Sequence, residues 1–67
     1  MEQIQNYKIQ KATSGSNTYY GFAARGSSTS SSVWSIIRKD SSGNIDWVEG
    51  SDDFRFIWDD RESYNYK

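Results

Sequence analysis

The sequence contains neither cysteine nor histidine. Without cysteine, it can form no disulfide, no thiolate metal site and no thiol nucleophile. Without histidine, it lacks the commonest metal ligand and the commonest general base at neutral pH. A serine nucleophile would need an activating base beside it, and only carboxylates and lysines are available for that role. The composition therefore predicts a non-enzymatic protein with no catalytic residue, no cofactor and no metal.

Proline and leucine are also absent, and the apolar share of the sequence is only 34%. The branched aliphatic residues are isoleucine and valine, and aromatic residues make up 16% of the chain. These side chains favour pleated, half-buried strands. Disordered segments are poor in the same residues, so we expect this serine-rich chain to fold.

The length of 67 residues allows one small domain, which we assign to residues 1–67. Cores of this size supply only about 3–5 kcal/mol without a disulfide or metal, and oligomerisation is a common remedy. No run of about 18 apolar residues is present, so we expect no membrane span. The opening residues MEQIQNYK also lack the charged and then apolar layout of a secretory signal.

Alternating polar and apolar residues predict an antiparallel sheet of three or four strands. Gly21 lies inside the second strand, where it indicates either a bulge or the close approach of an aromatic ring. Turns are expected at 14–17 and 40–44, and a serine-rich surface loop at 26–32. The predicted strands are 3–11, 18–25, 33–39 and 45–48.

The carboxy-terminal part switches to a helical period. Phe54, Ile57, Trp58 and Arg61 recur at i, i+3, i+4 and i+7, which predicts a helix of two to three turns beginning near residues 51–52. So short a helix needs to dock on the sheet to persist. The closing residues 64–67 fit either a short added strand or a loose end.

These elements predict an α+β fold, in which one short carboxy-terminal helix packs on a small antiparallel sheet. The side chains of a strand alternate between two faces, so one of the two sets in each strand should be buried. The predicted core consists of Ile9, Tyr20, Phe22, Trp34, Ile36, Trp47, Phe54, Ile57 and Trp58.

Charge is divided unevenly along the chain. Residues 1–39 carry a net charge of +4 and residues 40–67 a net charge of −5. Complementary halves can pair inside one chain or head to tail between neighbouring chains, and the sequence favours the first arrangement.

The sequence argues against three other kinds of site. Asp40, Ser42 and Asn44 alternate as at the start of a calcium loop, but the glycine is misplaced and no closing glutamate follows at the right distance. Asp59 and Asp60 are adjacent, so a helix would point them in different directions, unlike a pair of catalytic carboxylates. Rings with nearby cations could bind nucleic acid, but an isoelectric point of about 5.1 argues against it. Those rings and cations are Tyr7, Tyr19, Tyr20, Trp34, Lys8, Arg25 and Arg38.

Several stretches of residues 19–67 resemble one group of proteins. The stretches are Tyr20-Gly21-Phe22-Ala23, Val33-Trp34-Ser35-Ile36, the 42–44 turn, and Phe54 followed by Trp58-Asp59-Asp60-Arg61 and a tyrosine. Together they resemble a family of similarly short proteins from tailed bacteriophages. The resemblance implies a phage origin and a location in the virion or the host bacterial cytoplasm, but no biochemical activity. The serines at 27–32 depart from the alanine and proline typical of the family.

We therefore expect a bacteriophage structural or accessory protein that acts through protein–protein contacts, by self-association or with virion proteins. One alternative is a phage regulator or host-takeover factor that binds a host protein or single-stranded nucleic acid. Another is a carbohydrate-binding module with exposed Trp and Tyr side chains. Exposed aromatic patches mark contact surfaces. The candidate interaction residues are Tyr19, Trp34, Arg38, Trp47, Trp58, Asp59, Asp60 and Arg61.

Overall fold

A computed structural model describes residues 7–67. The predicted strands are confirmed there to within one to three residues at most ends, except that residues 3–6 of the first lie outside the described part. One six-residue 3₁₀ helix follows the last strand. The elements are β1 (Tyr7–Ser14), β2 (Asn17–Ala24), β3 (Ser32–Lys39), β4 (Ile45–Trp47), β5 (Phe56–Ile57) and the 3₁₀ helix (Trp58–Ser63).

The strands form one antiparallel sheet in the order β1-β2-β3-β4, as expected for consecutive hairpins. β3 is the central strand. Its carboxy-terminal half pairs with β4, with Ile37 opposite Trp47, and its amino-terminal half pairs with β5, with Trp34 opposite Phe56. Between residues 32 and 34 the pairing of β3 with β5 shifts register.

The turns follow the local chemistry of their residues. Gly15, at a φ of +61°, lies in the two-residue turn between β1 and β2. In the 40–44 turn, Asp40 Oδ1 accepts hydrogen bonds from the backbone N–H groups of Ser42 and Asn44, at 3.0 and 2.9 Å. The carboxylate that could have begun a calcium loop therefore closes a plain turn.

The hydrophobic core lies on one face of the sheet, which we call the core face. Gly21 lies beneath two indole rings there: a Cβ at this position would clash with Trp58 and lie 3.1 Å from Trp34 Cε3. This confirms the close approach of an aromatic ring, which is one of the two predictions made for Gly21. The buried side chains are Tyr19, Ala23, Trp34, Ile36, Val48, Phe56, Trp58 and Tyr66.

The predicted core is right at Trp34, Ile36 and Trp58 but wrong in β2. Tyr20 and Phe22 lie on the opposite face, whereas Tyr19 and Ala23 are buried. Both faces of β2 carry apolar side chains, so alternation alone did not decide between them. The remaining predicted core residues also lie outside the core, namely Ile9, Trp47, Phe54 and Ile57.

The predicted helix is replaced by a strand and a short 3₁₀ helix. Phe56 and Trp58, two positions apart, are both buried, and β5 forms at Phe56–Ile57 because β3 has free backbone groups to pair with. The fold is therefore an antiparallel sheet with one 3₁₀ helix, and the α+β prediction with an α-helix is not confirmed. Of the closing residues, Tyr66 forms a β-bridge with Val48, which agrees with the added strand.

No helix within residues 7–67 has the length and apolarity needed to cross a bilayer.

Candidate functional site

The face of the sheet opposite the core is also apolar, and we call it the open face. Residues directly opposite each other in an antiparallel pair share a face. The register aligns Lys11, Tyr20, Ile37 and Trp47 in one row across four strands. A second row contains Ile9, Phe22 and Ser35, and a third begins with Tyr7.

Large apolar side chains of this face are exposed. The exposed fractions are 54% for Tyr7, 59% for Ile9, 39% for Val33 and 55% for Ile45. Tyr20, Phe22, Ile37 and Trp47 are half-buried beside them. Scattered apolar residues are normal on protein surfaces, but a contiguous set of this kind marks a contact site.

One end of the open face is crossed by residues 51–55, which we call the strap. The Ser35 hydroxyl, pointing from β3, donates a hydrogen bond to the backbone carbonyl of Asp52 at 3.0 Å. Further along, the ring of Phe54 stacks on Tyr7 of β1, with centroids 5.9 Å apart and planes 17° from parallel. The strap therefore reaches from the central strand to the edge strand and leaves the rest of the face uncovered by described residues.

A shallow depression lies under the strap. Its volume is about 420 Å³, and it is lined by Tyr7, Ala24, Ser27, Val33 and Phe54. The lining contains no carboxylate, amine or guanidinium, so the depression offers a mainly apolar surface.

Charges of opposite sign occupy the two ends of the open face. Lys11 and Lys39 project from it near the 40–44 turn and are exposed. The strap, at the other end, carries Asp52 and Asp53, of which Asp53 pairs with Arg55 at 3.3 Å. Among residues 7–67, Asp52 forms no ion pair. The face is thus apolar in the middle and polar at its ends.

On the core side, the guanidiniums of Arg38 and Arg61 stack on aromatic rings of the carboxy-terminal segment. The Arg38 guanidinium lies 4.9 Å from the centroid of the Tyr66 ring, and its Nη2 is 3.9 Å from Asp46 Oδ2. Arg61 lies 4.6 Å from the Trp58 ring centroid and donates from Nη1 to the Trp58 carbonyl at 3.1 Å. Both stacked guanidiniums therefore contribute to holding the carboxy-terminal segment on the sheet.

Two pKa shifts have clear physical causes. Burial raises the pKa of the Tyr66 phenol above its ordinary value, and this hydroxyl donates a hydrogen bond of 2.7 Å to the Arg61 carbonyl. The backbone N–H of Asn44 holds the pKa of Asp40 below its ordinary value. Both groups belong to structural contacts, and neither lines the depression.

The structure does not gather the candidate interaction residues into one patch. Tyr19, Trp34 and Trp58 are buried in the core, so they present no contact surface and serve packing instead. Arg38 and Arg61 are half-buried against rings. Asp59 and Asp60 are exposed on the 3₁₀ helix. Trp47 alone among the eight lies on the open face.

Sequence reasoning missed most of the open face. Of its exposed members, Tyr7 is predicted only as a nucleic-acid contact, Ile9 and Phe54 are predicted in the core, and Val33 and Ile45 are predicted in no site. Gly21 was the available signal. A glycine in a strand that makes room for an aromatic ring lies on the buried face, so its neighbours Tyr20 and Phe22 point to the opposite face.

Within residues 7–67, no group of three carboxylates lies close enough together to hold a metal ion. Comparison of the chain with protein-family models, with curated proteins and with solved structures found no match.

Proposed function

We propose that this chain is a non-enzymatic bacteriophage structural or accessory protein that acts through protein–protein contact. The open face is its contact surface, and the chain serves as a repeated component of a virion. The observation that carries the contact role is the exposure of a contiguous apolar sheet face, with Tyr7, Ile9 and Ile45 each more than half exposed. The phage assignment comes from the resemblance of residues 19–67 to the phage family.

The size of the face supports a contact role. A large aromatic or aliphatic side chain exposes on the order of 200 Å². The five most exposed apolar side chains are between 39% and 59% exposed, so together they offer on the order of 500 Å². Patches of about 300–600 Å² are the largest on typical monomers and often functional. Burying this area would contribute roughly 12 kcal/mol before the cost of association.

The face is also rigid before it binds. Its side chains stand on four strands in one continuous hydrogen-bonded sheet, and Gly21 and Trp58 fix the opposite side. A surface that keeps its shape loses little conformational entropy on association. Such a face suits a component that is copied many times in one assembly.

Mass spectrometry of purified particles of the encoding phage tests the virion role. The chain should be present at many copies per particle. Introducing Ile9→Lys into the phage should remove it from the particles, because this substitution places a charge in the open face. Gln10→Lys changes the neighbouring residue on the core face of the same strand and should leave incorporation intact. Absence of the wild-type chain from particles would refute the virion role.

A second candidate function, single-stranded nucleic acid binding by a phage regulator, is favoured by one observation. Tyr20 and Trp47 share a row of the open face with Lys11, a combination of stacking rings and cation that suits bases and phosphates. The net charge of −1 weighs against it. Quenching of tryptophan fluorescence by an oligonucleotide, with a steep dependence on salt and lost in Trp47→Phe, would favour this function over the first.

The carbohydrate-binding alternative would use the same ring. A glycan array probed with the wild-type chain and with Trp47→Ala tests it directly. Specific glycan binding that disappears in the folded variant would replace protein contact as the proposed function.

A further inference from the structure

We infer that the open face packs against the open face of a second copy of this chain. The strands of the two copies run antiparallel across a twofold axis, and Lys11 and Lys39 of each copy lie opposite the strap of the other. This inference rests on the proposed contact role of the open face and names its partner.

The area of the face is sufficient for such a dimer. Three strands of eight residues and one of three, spaced about 4.8 Å apart and rising about 3.4 Å per residue, cover on the order of 400 Å² before the relief of the side chains is counted. Specific interfaces bury about 800 Å² per partner, and weak ones somewhat less. Two such faces stacked about 10 Å apart would form an ordinary two-layer sandwich. The open face therefore has the size of a weak interface, which forms at high concentration.

A second copy is also the partner that the architecture requires. The sheet has a core on one face only, and no disulfide strengthens it. A sheet buries an apolar face by packing another layer against it, so a sheet with two apolar faces needs a layer on each. In a twofold dimer the same patch meets itself, so an apolar face finds an apolar partner without any other protein.

Charge decides between the two possible orientations. If the twofold axis ran along the strands, Lys11 and Lys39 of both copies would lie at the same end of the interface. If the axis runs across the strands, these lysines lie over the strap, where Asp52 has no ion pair among the described residues. Opposite charges across an interface favour the second orientation and like charges disfavour the first.

Sedimentation equilibrium of the full chain at micromolar to millimolar concentration tests the dimer. The wild-type chain should sediment as a dimer, and Ile9→Lys should raise the dissociation constant by at least about thirtyfold, as for a hot-spot residue. Gln10→Lys is the matched control: it adds the same charge to the next residue but on the core face, and should leave the dissociation constant unchanged. Far-UV circular dichroism of each variant confirms that it is folded.

A charge exchange tests the orientation. Lys39→Glu and Asp52→Lys should each weaken the dimer, and the effect should grow as salt is lowered. The double variant should regain the wild-type dissociation constant because it restores both opposite-charge contacts. The Asp52 substitution leaves its backbone carbonyl, which receives the Ser35 hydrogen bond, in place. Single variants that dimerise as well as the wild type would overturn the proposed orientation.

The outcomes separate this inference from the proposed function. A wild-type chain that stays monomeric at millimolar concentration and low salt overturns the dimer. If that monomer is nevertheless found in phage particles and Ile9→Lys removes it, the contact role stands with a different partner. If the dimer forms and Ile9→Lys breaks it, but particles lack the chain, the dimer stands and the virion role fails. A dimer that Ile9→Lys does not affect overturns the assignment of the surface.

Discussion

Replacing Gly21 with alanine should destabilise the protein although alanine is only one methyl group larger. The added Cβ would clash with the Trp58 ring, lying 2.7 Å from its Cζ3, and would be 3.1 Å from Trp34 Cε3. Favourable carbon–carbon contacts lie at about 3.5–4.0 Å. Trp58 cannot simply move away, because it is only 4% exposed and the Arg61 guanidinium covers its ring.

The size of the effect follows from two opposing contributions. Overpacking a filled core costs about 1–3 kcal/mol. Removing a strand glycine restores about 0.5–1 kcal/mol, because glycine loses more conformational freedom on folding. Gly21 lies outside the left-handed region, so alanine adds no backbone strain there. The difference centres on a net loss of about 1 kcal/mol, which lowers the Tm of a domain this small by roughly 4–8 °C.

Thermal unfolding followed by near-UV circular dichroism measures this loss at the indole rings themselves. The comparison belongs in the Ile9→Lys background, where dimerisation does not add to the stability. Gly26→Ala is the control: its φ of +86° brings backbone strain, but nothing lies within 4 Å of the new Cβ. It should therefore lower the Tm without changing the indole signal. A Tm for Gly21→Ala equal to or above that of the background would refute the argument that Trp58 requires a glycine beneath it.

Three further predictions concern hydrogen bonds and pH. Ser35→Ala should cost about 0.5–1.5 kcal/mol and speed hydrogen exchange in residues 51–55, because the carbonyl of Asp52 loses its partner; unchanged exchange there would show that the strap is held otherwise. Since the pKa of Tyr66 is raised by burial, stability should be constant below the ordinary value of 10.0 and fall as the pH rises above it. Tyr66→Phe should reduce that alkaline loss of stability, measured by thermal unfolding at several pH values. It should also cost about 0.5–1.5 kcal/mol at neutral pH for the lost hydrogen bond. An unaltered alkaline loss would contradict the assignment of this loss to Tyr66. The pKa of Asp40 is lowered, so its contribution to stability is complete above the ordinary pKa of 3.8 and is lost as the pH falls below that value. A carboxyl-carbon NMR titration of Asp40 with a midpoint at or above 3.8 would be inconsistent with the Asn44 contact.

Most of the sheet could be predicted from the sequence. The hairpin turns at 14–17 and 40–44 have residues suited to positive φ or to side-chain closure, and the alternation between them limits where strands can begin and end. The identity of the buried face of β2 could not be read from alternation, because Tyr19 and Tyr20 are equally plausible core residues. Only the packing of Trp58 onto Gly21, 37 positions away in the sequence, distinguishes the two faces.

The carboxy-terminal segment was mispredicted for a different reason. Phe54, Ile57, Trp58 and Arg61 fit a helical stripe, but Phe56 and Trp58 also fit the period of a strand, and both are buried. Unpaired backbone groups on β3 favour the strand, and that is a property of the assembled sheet. The open face was missed because each exposed ring or aliphatic side chain in it is unremarkable by itself; only the strand register shows that they adjoin.

The strap contributes to the shape of the open face, but it is not part of the sheet that supports this face. Loop residues tolerate substitution better than the strands they connect. Only a backbone carbonyl of the strap is bound by Ser35, so the side chains at 52 and 53 are free to differ. Related chains with the same sheet could therefore change what they recognise by altering this short connection, and a library randomised there would alter selectivity without rebuilding the fold.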